Sequence, residues 1–337
     1  MLTDHHRMQA YYNAIMSNRN VFKDKVVMDV GSGSGILAIW AAQAGAKRVY
    51  AVEYTDMAQH ARRVVQANGL QDVVTVIQGA VEDVKIPKED WETFGLKVEG
   101  DEDGEEEEEQ QCSSDNSCSN SSNNSNSKVV DIIISEWMGY FLLRESMLDS
   151  VIRARELFLK PTTGILLPSH ATMLIAPISN SQHHHAVLKE YTDGMDDWHT
   201  YLDNVKERYG VDMSILEDEF EKEQREYYLL SSHWVQLGEY DETVLDTPVV
   251  VKTLDMKSCT LEDARGVDLT KFAFDITSVD VDEEGEEGEE EISGFAGWFT
   301  VDFQSSADEV GKDYGMKMMN PVHFTSSPEI GGEFLVI

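Results

Sequence analysis

Cysteine is scarce: the 337 residues hold three, Cys112, Cys118 and Cys259, too few for a disulfide framework and spaced unlike any metal site. Such usage fits a reducing compartment. Long apolar runs are missing as well, since no stretch approaches the roughly 18 uninterrupted apolar residues of a membrane span. The opening, MLTDHHRMQAYY, is polar and lacks the apolar centre of a secretory signal. The expectation is a soluble intracellular chain with no membrane partner. Basic residues are the third shortage, 27 against 63 acidic ones, for a net charge of −36. Direct nucleic-acid binding needs a basic footprint and is therefore not expected. Two runs, 99–109 and 280–291, hold nine acids each and no base, so the remainder still carries −18. An acidic body steers basic polypeptides toward itself, or serves solubility alone.

What is present is a globular composition, 41% hydrophobic, in a chain long enough for about two domains. Met8, Tyr11, Tyr12, Ile15 and Met16 recur at helical spacing and predict a helix over 1–20, with Arg7 on it. The run VFKDKVVMDVGSGSGILAIWAAQAGAKRVYAVE follows. It reads as strand 26–30, glycine turn 31–35, helix to about Ala44 and strand 48–53, a βαβ unit that opens a doubly wound, Rossmann-like sheet. In a dinucleotide fingerprint the third glycine comes one residue later than in Gly31-Ser-Gly33-Ser-Gly35. Asp29, at the strand end, would face a cation and crowd a pyrophosphate. Glu53 closes the second strand 20 residues after Gly33, placed to accept ribose hydroxyls. Adenosine plus an amino-acid ammonium describes S-adenosylmethionine; a tight turn with no ligand is the alternative. A third strand, 73–78, ends in Gly79-Ala80-Val81-Glu82, where Glu82 can accept from an adenine amino group.

Residues 88–127 are acids followed by Ser and Asn and read as a disordered insertion between two strands. The sheet resumes at KVVDIIIS and runs into SEWMGYFLLRESM, 135–147. Glu136 stands where the strand stops, and Glu145 lies nine residues on, beyond an aromatic and aliphatic segment. Two carboxylates framing an apolar turn match the rigid donor fork of a guanidinium. The plainer alternative is a helix-start acid plus a surface acid. Beyond Pro161 the pattern changes to short strands, VVVKTLDM, FAFDITSVDV, FAGWFTVDF and PVHFTSS, predicting an antiparallel β domain. A charged helical arm with scattered aromatics, 191–228, interrupts it. His183, His184 and His185 are adjacent and cannot all face one ion from a helix, so no metal is expected. The domains expected are an N-terminal cofactor-contacting helix, 1–20, a Rossmann-like domain, 21–161, and a β-barrel domain, 162–337.

With these residues assembled, the chain resembles a type I protein arginine N-methyltransferase, nearest the plant-type branch of that family. SEWMGYFLLRESM is similar to its double-glutamate loop, and VVMDVGSGSGILAIWAAQAGAKRVYAVE, LLPSHATMLIAPI, DDWH, YGVDMS and GFAGWF also match. The resemblance implies that Glu136 and Glu145 hold the substrate guanidinium, Glu145 being the more open and the better placed to pass a proton onward. It implies that Arg7 pairs with the cofactor carboxylate. Asp29, Gly31, Gly33, Glu53, Gly79, Val81 and Glu82 become cofactor contacts, and Met1, Met138 and Met147 line the substrate pocket. Arginine-containing basic proteins such as histone tails and Gly-Arg-rich segments are the implied substrates, asymmetric dimethylarginine the product, and the cytoplasm and nucleus the location. The arm 191–228 would form a homodimer. Two departures stand out: no aromatic-rich helix precedes Met1, and EIGGEFLVI replaces the family's Thr-His-Trp loop after FTSSP. These imply a barrel that is incomplete here, and leave a catalytically silent cofactor-binding or scaffold relative as the alternative to an enzyme. A small-molecule methyltransferase would not need the second acid.

Overall fold

A computed structural model describes residues 4–94, 96, 128–139, 141–144, 147–179, 181–229, 233–235, 243–267, 273–274, 292–305, 318, 320, 322–326 and 334–336. Five parallel strands, β1 (Val26–Val30), β2 (Arg48–Glu53), β3 (Val74–Gln78), β4 (Ile132–Ile134) and β5 (Ile165–Leu167), form a sheet in the order β3-β2-β1-β4-β5. Every residue of β1, β2 and β4 is buried, as expected for parallel strands covered on both faces. Helices supply the cover: α1 (His5–Met16), α2 (Arg19–Phe22), α3 (Ile36–Gln43), α4 (Met57–Ala67), α5 (Lys88–Phe94) and α6 (Leu148–Phe158). The strand order reverses between β1 and β4. Loops leaving the carboxyl ends of those two strands diverge there and open a crevice, the usual ligand position in such sheets.

Two sequence expectations need correcting in this half. The helix expected over 1–20 breaks at Ser17 and Asn18, where α1 ends and the Asn18 amide donates back to Ala14 O at 3.0 Å. The insertion expected to be disordered from residue 88 begins with α5. Its acids concealed an anchor: Asp90 is 6% exposed and binds the Arg48 guanidinium at 3.0 Å and the Tyr50 hydroxyl at 2.9 Å. Trp91 and Phe94 pack on the core beside it. Residues 97–127 lie outside the described residues.

The second layer is antiparallel. Strands β6 (His170–Ser179), β7 (His233–Val235), β8 (Thr243–Val244), β9 (Val249–Asp255), β10 (Gly294–Phe303), β11 (Val322–Thr325) and β12 (Phe334–Val336) pair in the order β7-β12-β10-β6-β8, with β9 also on β6 and β11 also on β10. β10 and β6 run together from Gly294 opposite Ile178 to Asp302 opposite His170. Most of the expected strand at 272–281 lies outside the described residues. Helices α7 (Ser181–Tyr209) and α8 (Glu217–Tyr228) form the arm, which starts ten residues before the expected 191. Trp198 stacks on Phe220 with centroids 4.2 Å apart and holds the two helices together.

Alternation along β10 decides what meets what. Ala296 and Trp298 point into a small cluster on the far face, whereas Phe299, Val301 and Phe303 join the main core. Helix α1 lies between that inner face and the parallel sheet. Phe303 meets the Tyr11 ring edge-on at 4.8 Å. At the end of α1 the buried Asn18 side chain pairs with the backbone of Asn320 in both directions, each bond 2.8 Å, as one strand residue pairs with another.

Candidate functional site

The site is built where β1 and β4 part. Helix α1 starts at Asp4, whose carboxylate caps the Arg7 N–H at 2.9 Å, and this turn aims the Arg7 side chain at the end of β4. Arg7 Nη1 donates to Glu136 Oε1 at 2.8 Å and to Met138 O at 3.3 Å, and Nε lies 3.0 Å from Asp4 Oδ2. Its guanidinium also sits 5.9 Å from the Phe299 ring and 5.8 Å from the Phe324 ring. Burial alone lowers the basicity of this group. The adjacent Glu136 and Asp4 carboxylates outweigh that, so its pKa lies above the ordinary arginine value. One turn on, the Tyr11 hydroxyl donates to Ser135 O at 2.8 Å and lies 3.4 Å from Met138 Sδ. Burial, then the charge of Glu136, push this phenol well above its usual range, so it remains a proton donor fixing the loop.

The glycine loop forms the opposite wall. Gly31, Gly33 and Gly35 all have positive φ, 72°, 51° and 81°. A side chain at Gly31 would collide with the Met147 methyl, 2.1 Å from where its Cβ would lie, so Met147 is laid across this loop. Gly33 faces open space: among the described residues nothing lies within 4 Å of where its Cβ would be. Its N–H donates to Glu53 Oε2 at 2.8 Å, while Thr55 gives Glu53 Oε1 its N–H at 2.9 Å and its hydroxyl at 2.6 Å. Three of about four carboxylate lone-pair sites are thus taken, and about one is left for a hydroxyl. Asp29 is fully buried: Oδ2 accepts from Ala38 N at 3.1 Å, and Oδ1 has no hydrogen-bond partner among the described residues. Burial lifts its pKa to about 7, against the pull of the Ala38 N–H and with a further push from Glu53. The Ser32 hydroxyl in the same loop is likewise buried with no hydrogen-bond partner among the described residues.

An orphaned carboxylate oxygen, an orphaned hydroxyl and the clear space at Gly33 suit a ligand carrying an ammonium and a sugar, so S-adenosylmethionine fits this loop. The Gly79 N–H donates to Glu53 O at 3.0 Å, Val81 is buried, and Glu82 is exposed and accepts from Ser150 at 3.4 Å. Arg7, Glu136 and Met138 are therefore in one cluster, and Gly31, Gly33, Glu53 and Met147 in a second beside it. Met1 and Glu145 lie outside the described residues. Tyr11, Asp4, Phe299 and Phe324 were not singled out as site residues. Asp4 was within reach, being a helix-capping residue three before Arg7, whereas nothing in the sequence placed two phenylalanines of the second sheet over a guanidinium. Among the described residues no group of His, Cys, Asp and Glu is arranged to hold a metal ion.

Comparison with known proteins narrows the chemistry. Residues 10–91 match the family described as Ribosomal protein L11 methyltransferase (PrmA), and residues 169–321 the Arginine methyltransferase oligomerization subdomain. Protein arginine N-methyltransferase PRMT10 of Arabidopsis thaliana is 40% identical over 92% of this chain and 67% of its own length. Its counterpart from Oryza sativa subsp. japonica is 36% identical over 98% of this chain and 71% of its own. The chain belongs to the protein arginine N-methyltransferase family. A crystal structure of the Arabidopsis thaliana protein arginine methyltransferase 10, reported as a uniquely open conformation, superposes with a TM-score of 0.74 at 36% identity, covering all of this chain and 80% of that one. As an arginine methyltransferase the two-layer plan makes sense: the parallel sheet carries the loop suited to the methyl donor, and β10 and β11 bring the aromatic wall that frames a guanidinium.

Proposed function

We propose that this chain transfers methyl groups from S-adenosylmethionine to guanidinium nitrogens of arginine in basic proteins. One observation carries the reading: Glu136, at the end of β4 and beside the glycine loop, already holds a guanidinium at 2.8 Å, that of Arg7, under two phenylalanine rings. Bound at the loop, the cofactor supplies an electrophilic methyl group on a sulfonium. Asp29 Oδ1 and Ser32 would take its ammonium, Glu53 a ribose hydroxyl, and Arg7 its carboxylate. Glu136, with Glu145 as its partner in the sequence, draws positive charge toward the nitrogens it touches and leaves electron density on the one that attacks. Holding that nitrogen still supplies much of the remaining acceleration.

Glu136→Gln should lower the methylation rate of a glycine-arginine peptide by about 10²–10³-fold, the scale of losing one charge-stabilising contact. S-adenosylmethionine affinity, measured by calorimetry, should stay within a few-fold. A chain that binds the cofactor but methylates no arginine peptide would instead be a silent relative. The finer reading is that histone tails and Gly-Arg-rich segments are the substrates and asymmetric dimethylarginine the product. The acidic body supports it, because a guanidinium keeps its charge through methylation and stays attracted. We place the dimer contact on α7 and α8, within the matched oligomerization subdomain.

A further inference from the structure

The turn after Glu136 is built at a cost. Phe141 and Leu142 both have positive φ, 45° and 67°, two consecutive side-chain-bearing residues in the left-handed region. Leu142 exchanges hydrogen bonds with Gly139, at 3.0 and 3.2 Å, and Leu143 N donates to Phe141 O at 2.8 Å. A turn of this kind persists only where its surroundings determine it. Leu142 is buried, but Phe141 points the other way, across to the second sheet. It lies on β10 at Gly297, where the place of a Cβ is 2.7, 3.0 and 3.1 Å from three carbons of the Phe141 ring. Gly297 sits mid-strand, paired with Ile175 on one side and Leu335 on the other. Nothing in such a strand calls for glycine, which is disfavoured there. Among the described residues, the Phe141 ring takes the place a side chain would need.

Gly297 also shares its strand face with Phe299 over Arg7 and Phe303 against Tyr11. One face of β10 thus touches the loop, the guanidinium and the helix that deliver the site. We propose that Gly297 is a positioning residue for the arginine subsite: the notch it leaves in β10 seats Phe141 and so fixes the strained turn between the two glutamates of the sequence. This deepens the methyltransferase reading and rests on it for the word subsite, though the contact itself does not.

Two single variants and one pair test it by hydrogen exchange on the full chain. Phe141→Ala empties the notch without touching the strand, and Gly297→Ala drives a methyl group into the ring. Each should speed amide exchange at 139–144 by at least about threefold relative to β6, a local opening rather than a global one. Gly297→Ala with Phe141→Leu, which shortens the side chain where the methyl group enters, should bring the rate back toward wild type. Affinity for a glycine-arginine peptide in the presence of S-adenosylhomocysteine should fall in the single variants and recover in the pair, with S-adenosylhomocysteine affinity unchanged throughout. Unaltered exchange at 139–144 in Phe141→Ala would overturn the proposal, as would acceleration spread equally along β6 and β10, or a pair no better than Gly297→Ala alone. If the wild-type chain holds no arginine peptide, the methyltransferase reading fails, while the exchange rates still decide the contact.

Discussion

At the scale of single residues, Asp29 is the group whose burial has the clearest consequence. Its pKa stands at about 7 against an ordinary 3.8, so between those values the folded chain keeps a proton that the unfolded chain has released. Stability contributed by this residue therefore falls as pH rises from about 4 to 7 and is level above that. Asp29→Asn should remove this slope, and thermal unfolding of both proteins across that range checks it. Cofactor binding should run the opposite way. An ammonium pairs with ionised Asp29, so S-adenosylmethionine should bind more tightly as pH climbs through about 7. Calorimetry on Asp29→Asn should show weaker binding with that rise flattened. Asp29 was legible in the sequence because a carboxylate ending a buried strand beside a glycine turn is costly without a purpose. The Glu136 partner was not, since Arg7 lies 129 positions away and meets it only after both layers are assembled.

Secondary-structure elements were legible in proportion to how far periodicity and glycine alone define them. The β1-α3-β2 unit could be read because Val and Ile runs bracket Gly31, Gly33 and Gly35. Helix α5 could not, because Glu89, Asp90 and Glu92 look like the start of the acidic tract, while the residue that decides the matter, Asp90, turns inward onto Arg48. Its weight can be measured. Asp90→Ala removes the carboxylate from the buried Arg48 charge, leaving it Asp72 O, Thr75 and the Tyr50 and Phe94 rings, and should cost about 3–5 kcal/mol in urea unfolding, the range for breaking one side of a buried pair. Arg153→Ala, removing an exposed pair to Glu156, should cost less than about 1 kcal/mol. The early start of α7 was hidden for a different reason: His183, His184 and His185 read as an exposed polar run, and neither capping nor apolar spacing marked a helix there.

For the whole molecule, the arm leaves a bare tip. Tyr209, which ends α7, is 73% exposed, and Ile215 is 85% exposed on the segment 210–216 between α7 and α8, which buries nothing of its own. If α7 and α8 make the dimer contact, Ile215→Asp should shift sedimentation toward the monomer while leaving the single-chain circular dichroism spectrum intact. Assembly within one chain depends on a different join. Asn18 and Asn320 stand 302 positions apart, yet the end of α1 is fixed by the segment that leads into β11. A ribosome has therefore delivered the glycine loop, the first glutamate and both arm helices long before the residue that locks α1 in place exists. Until β10 and β11 have both been made, Arg7 lacks at least one of the Phe299 and Phe324 rings beside it. Cofactor competence should consequently appear late in synthesis and in a single step, so that stalled nascent chains ending near residue 300 have the whole glycine loop and no retained S-adenosylmethionine.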